Sequence, residues 1–494
     1  MRAALAVSVC LVAACGNDRV PPPEHHDRDV VPARVRLLTD AQIANAIHDL
    51  LGEDIVVPPL ETPGAPAHQF IYADVISVDA AQLARYQRMA EAIARQVRTG
   101  DALAFAERAF RRRLDDSERA SLSAMAADGG FSLVVEAVLQ APQFLYRSEA
   151  STPTISAYEI AEQLGFYLLD SIPDEDLWLA ARDGSLADPE ALASEVDRLL
   201  ELPRVQAHLD DVILDWLGAR RVLANGKDLS IFPEMTPELR ASMFAETQAF
   251  VHDVLWHRGG SLRELLVSSR TFIDAQLAGL VYGVGGIRSD TLVEVTLDPR
   301  ERAGVLTQAS MLSILATARS ESIISRGAFV SHKLLCASEL GRPPAAAIAA
   351  VSDFTSKLSE SQFAYYRAAN LYCSACHRTM DPPGRALHAY DGIGRHRELD
   401  TFGFPVDDDT SMYIADQRID IEDAPQMARA LADSDHVARC VIDQLAHHAF
   451  GRQLGAMDET RAHLYERFNA SDRSLVEVFR AIATSPAFIQ RSAP

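Results

Sequence analysis

The chain has 494 residues, an apolar share of 48% and a formal net charge of −22. That length and apolar content allow several packed modules rather than one small domain. An excess of acidic residues this large argues against a nucleic-acid partner, whose backbone needs neutralising cations.

The first 15 residues read as an export signal. Arg2 supplies a short positive region, Ala3 to Ala14 an apolar run too short to span a bilayer, and Val12-Ala13-Ala14-Cys15-Gly16 follows. Small residues before a cysteine resemble the lipobox of bacterial lipoproteins. On that reading Cys15 is lipidated, residues 1–15 are the signal peptide and the mature chain is anchored to a membrane in the cell envelope. The alternative is an ordinary signal peptide cleaved nearby. Residues 16–35, rich in proline and charge, read as a flexible tether.

Apolar residues at helical spacing then dominate, and the expected fold is mainly α. A helical module spans 36–100, opened by a Thr39/Gln42 capping box and stopped first at Gly52. A three-helix module follows over 101–150 and a large helical bundle over 151–325. The region 326–415 holds a C-x-x-C-H pattern, and a C-terminal helical module fills 416–494. Within 302–317 a further apolar helix is expected, and 292–296 is the best short strand.

The chain also repeats itself. Ala109-Phe110-Arg111-Arg112-Arg113-Leu114 recurs as Ala449-Phe450-Gly451-Arg452-Gln453-Leu454, and Pro142-Gln143-Phe144 with Arg147 recurs as Pro486-Ala487-Phe488 with Arg491. Matching order and spacing point to one helical module used twice, at 101–150 and 416–494.

The chemistry concentrates in Cys373-Ser374-Ala375-Cys376-His377. Two thiols three residues apart suit addition to the vinyl groups of a haem, and the next residue then serves as proximal iron ligand. Met380-Asp381-Pro382-Pro383-Gly384 is expected to force the chain out of any helix. The sixth iron ligand is open, with Met427 preferred over Met412, His388, His396 and His436. Competing readings of the same pattern are a Cys373–Cys376 disulfide, or zinc on both cysteines, His377 and a fourth group. If haem occupies Cys373 and Cys376, Cys336 and Cys440 remain as a pair. A disulfide between them is one hypothesis, since connectivity cannot be read from sequence.

At these residues the chain resembles large exported proteins of planctomycete- and myxobacterial-type bacteria. They are built from consecutive modules of unknown function (the 1587, 1595, 1592, 1588 and 1585 series). Arg36-Leu37-Leu38-Thr39 resembles the opening module and Ala109 to Leu114 the second. Leu164 to Leu169 resembles the start of the central module, and Arg302 to Gln308 with Arg326-Gly327 its end. Cys376-His377-Arg378-Thr379-Met380-Asp381-Pro382 with Tyr390-Asp391-Gly392-Ile393-Gly394 is the most specific match, and Cys440 with Ser485-Pro486-Ala487-Phe488 resembles the closing module. This chain departs from the pattern in carrying Arg385 and His388-Ala389. The resemblance implies a cytochrome-c-like site with one covalent haem c in the envelope, and no agreed reaction.

Together these features suggest a lipid-anchored electron-transfer protein, or the haem subunit of an envelope oxidoreductase, with an unidentified redox or surface partner. The alternative is a non-enzymatic surface scaffold or adhesion lipoprotein whose C-x-x-C-H holds a disulfide or zinc.

Overall fold

A computed structural model describes residues 34–60, 79–149, 155–338, 358–400, 403–451, 454–455 and 459–489. The signal segment with Cys15, and most of the tether, lie outside them. The expected tether ends early, because Arg34–Leu37 form strand β1. Four capped helices follow, α1 (Asp40–Leu51), α2 (Ala80–Ala94), α3 (Ala102–Ala109) and α4 (Asp116–Gln140), then the short α5 (Pro142–Leu145), which starts on a proline. Thr39 and Gln42 close the expected capping box and Gly52, at φ 104°, ends α1. After α5 the chain enters β2 (Tyr146–Glu149), which pairs antiparallel with β1. These elements enclose their own core, in which Ile43, Ile47, Tyr86, Ile93, Val135 and Phe144 are fully buried. Among the described residues α4 alone is long and apolar enough to cross a membrane. It is broken at Gly130, which sits at φ 71°, and its Leu122, Val134, Val135, Val138 and Leu139 face that core.

The central bundle contains α6 (Ala157–Leu164), continued by a π-turn at Gly165–Leu169, then α7 (Glu175–Asp183), α8 (Pro189–Leu200), α9 (Pro203–Leu217), α10 (Pro237–His252) and α11 (Leu262–Val267). Trp216 is fully buried in its core. Strand β3 (Arg270–Ile273) pairs with β4 (Val293–Thr296), the segment anticipated from sequence. The apolar run 302–317 yields only a single turn at Val305–Thr307 and the short helix α12 (Ala309–Ile314). Gly304 at φ 51° and an extended Gln308 interrupt it.

The last third holds α13 (Ile323–Lys333), α14 (Glu360–Ala369), α15 (Ser374–Arg385), a hairpin of β5 (Thr410–Ile414) and β6 (Gln417–Ile421), then α16 (Ala424–Asp433), α17 (Asp435–Phe450), α18 (Glu459–Ala470), α19 (Leu475–Ala483) and α20 (Pro486–Ile489). Pro382 and Pro383 do not expel the chain from the helix, since both lie inside the final turn of α15. Packing overrides local preference there. α15 lies against α13, α14 and β5, and its end is closed by bonds of 3.2 Å from Ala386 N–H to Pro382 O and Leu387 N–H to Gly384 O.

The two segments expected to be copies, 101–150 and 416–494, have local features in common. Each has a helix ending in a left-handed residue, Arg111 (φ 56°) or Gly451 (φ 61°), then helical segments separated by a left-handed break, at Gly130 (φ 71°) or at Asp472 (φ 55°) and Arg473 (φ 58°). Each ends in a short helix headed by the proline, α5 or α20. The π-turn stands between the copies. Phe166 lies beneath Arg111 and Arg147 of the first copy, while the Tyr167 ring packs 5.3 Å from that of Phe488 in the second.

Candidate functional site

Cys373 caps α15, and the N–H groups of Cys376 and His377 both donate to its carbonyl. The two thiols and the imidazole therefore share the first turn of one helix. Cys373 is buried, Cys376 half-buried, and both are free thiols. Just before them, Leu371 is 85% and Tyr372 62% exposed, and Tyr365, Leu399, Phe404 and Tyr413 are also exposed.

His377 Nδ1 lies 2.8 Å from Asp381 Oδ1, one helical turn on. Arg367 Nε donates to Asp381 Oδ2 at 2.9 Å, and both side chains are buried. The Arg367 guanidinium is stacked over the Phe363 ring, 4.4 Å from its centroid. Asp381 and Arg367 were missed as site residues from sequence. Their signal was the spacing of His377 and Asp381, which matters only if the helix continues into the prolines.

Two arginines from the stretch expected to end the central module secure the following loop. Arg326, fully buried, donates to the carbonyls of Leu387, Tyr390 and Asp391, each at 2.7 Å. Arg302 donates to Thr307 O and Gly394 O. Below the loop, His388 is fully buried with Nε2 3.6 Å from Glu321 Oε1, and Arg397 pairs with the same carboxylate. Burial alone would raise Glu321, but His388 and Arg397 hold it down to about 2. Arg385, a departure from the family pattern, lies under Tyr365 and bonds Asp407 Oδ1 and Asp409 O.

The other candidates are dispersed. Met427 is fully buried on α16, which packs on α11, α17 and β6. Met412 is buried on β5, which packs directly on α15. His436 Nε2 bonds Leu335 O at 2.8 Å, and His396 Nδ1 stands 3.6 Å from Glu301 Oε1. Cys336 and Cys440 are joined in a disulfide with Cα atoms 5.5 Å apart, tying the end of α13 to α17. Among the described residues no group of three or more His, Cys, Asp or Glu side chains is arranged to hold a metal ion.

Family comparisons match nearly the whole described chain. Proteins of unknown function (DUF1587) match residues 36–99, (DUF1595) 102–149, (DUF1592) 155–284, (DUF1588) 302–400 and (DUF1585) 419–488. The fourth match begins at residue 302, upstream of the boundary expected at 326, and so groups Arg302, as well as Arg326, with the C-x-x-C-H. Both arginines donate hydrogen bonds to the 387–394 loop within the same match. No curated protein and no solved structure matches the chain. Carrying these five modules in order from residue 36 to residue 488, the chain belongs to this multi-module series of proteins of unknown function.

Proposed function

We propose that the chain is an exported, lipid-anchored protein with one haem held covalently by Cys373 and Cys376. It would work as an electron-transfer protein or as the haem subunit of an envelope oxidoreductase. The observation that carries this reading is the first turn of α15, where two free thiols and His377 stand together. A carboxylate can only accept, so its contact with Nδ1 assigns the imidazole proton to Nδ1 and leaves the Nε2 lone pair for a metal. The exposed Leu371 and Tyr372 beside Cys373 offer apolar cover for a porphyrin edge. A bound haem would supply one-electron chemistry.

The chain's own part is to tether the group, fix the proximal ligand and limit water access. Met412 on β5 and Met427 on α16 would be the methionines available as a second iron ligand. Export and anchoring at Cys15 rest on residues 1–15 alone, and the partner would be another redox or surface protein.

The test is production of the mature chain in a periplasm with haem-c maturation machinery, followed by a reduced-minus-oxidised spectrum after denaturation. A c-type band that vanishes in C373A/C376A is expected. A folded, colourless protein would overturn the reading in favour of a surface scaffold, with metal analysis and thiol counting to separate zinc from disulfide.

A further inference from the structure

His377 is held by a group stronger than a haem-c site requires. To fix the ring, a backbone carbonyl accepting from Nδ1 would suffice. Here the acceptor is a carboxylate, Asp381 Oδ1 at 2.8 Å, in a setting where Asp381 is only 3% exposed at its side chain. Its second oxygen is engaged by Arg367 Nε at 2.9 Å. Arg367 is in turn buried and pinned over the Phe363 ring. Swinging the carboxylate away would leave the buried guanidinium with only the longer contact to Glu360 Oε2 at 3.8 Å.

A charge-assisted hydrogen bond in a poorly solvated site is stronger than a neutral one and shifts proton density from the ring toward the acceptor. The ring becomes more basic at Nε2. A more basic axial ligand favours the more highly charged ferric iron over ferrous.

We propose that Asp381, held by Arg367, is a positioning residue that makes His377 a strongly donating ligand and sets the haem at a low reduction potential. This rests on the haem reading above. It narrows the partner to a redox protein that can reduce a low-potential centre or be reduced by one.

The test uses the full haem-loaded chain. Covalent haem is first quantified in wild type, D381N and D381E, and each midpoint potential is then measured by spectroelectrochemical titration. D381N keeps the side-chain shape but replaces the carboxylate with a neutral amide. The ferric preference is expected to fall about tenfold or more, a rise of at least ~59 mV for one electron. D381E, which restores the charge, is expected to recover most of that shift, a recovery that a merely structural role would not produce. An unmoved or lowered potential in haem-loaded D381N overturns this proposal alone, whereas a wild-type chain without haem overturns the haem reading with it. If D381N does not fold, the iron–histidine stretch of the reduced wild type decides, read just after photodissociation of carbon monoxide so that the iron is five-coordinate. A frequency raised above that of a carbonyl-bonded imidazole supports the proposal, and an unraised one overturns it.

Discussion

Arg111 shows how much one side chain can hold in this protein. It sits at φ 56°, a conformation that costs a non-glycine residue energy, and its counterpart in the second copy is Gly451. The strain is offset by its bonds to Glu162 Oε1 and to the carbonyls of Ala109, Gln143, Phe144 and Tyr146. R111A breaks a buried ion pair between the second and third modules and is expected to cost about 3–5 kcal/mol, read as a lower urea midpoint at unchanged slope. A loss under ~1 kcal/mol would mean the carbonyls find water instead. The expected repeat rests on the A-F-x-R-x-L and P-x-F patterns found in both segments. The role of Arg111 was not legible in sequence, since its partners lie between 2 and 51 residues away.

At the scale of elements, α13 and α15 cross at backbone contact. A Cβ on Gly327 would stand 1.9 Å from Met380 O, and one on Gly384 would stand 1.9 Å from Ile323 O. G327A and G384A are each expected to destabilise the chain by about 1–3 kcal/mol. The double variant should fall short of the sum, because both act on one crossing, and thermal melts of the three variants would check this. Unchanged melting would show that the helices separate without cost. The disulfide between Cys336 and Cys440 anchors the same region by closing a separation of 104 residues. Its reduction should remove about 2–4 kcal/mol, seen by comparing unfolding midpoints with and without reductant. Sequence reasoning placed a helical module over 416–494, where α16 to α20 lie. It did not foresee that the helix crossing the C-x-x-C-H would be α13, upstream in the chain. Nor did it foresee α15 running through two prolines, because both depend on the close glycine contact and not on local preference.

For the whole molecule, two buried groups give opposing pH dependence. Burial, with Thr271 and Tyr282 hydrogen bonds working against it, pushes Glu246 from 4.5 up to about 7. The folded state thus holds that proton more tightly, and its contribution is full below pH 4.5 and lost as pH rises through 7. Burial, helped by the nearby charges of His208, Arg36 and His447, lowers His448 from 6.5 to about 3. Its contribution is full above pH 6.5 and lost as pH falls toward 3. Each slope is at most about 1.4 kcal/mol per pH unit, so the two largely cancel between 4.5 and 6.5. Removing Glu246 in E246Q should unmask the rise of stability with pH across that window, measured by urea unfolding. Parallel curves for wild type and E246Q would contradict this. The five-module order was readable from short motifs spread along the chain. The boundary near 302 was not, because Arg302 declares its module only through its bond to Gly394 O. The central claim is that Cys373 and Cys376 carry haem, and the most direct measurement is peptide mass spectrometry of the chain purified from its own cell envelope. Trypsin should release the peptide from Ala368 to Arg378 bearing the mass of one haem on its two cysteines. The same peptide with two alkylatable thiols, or joined in an internal disulfide, would contradict the account.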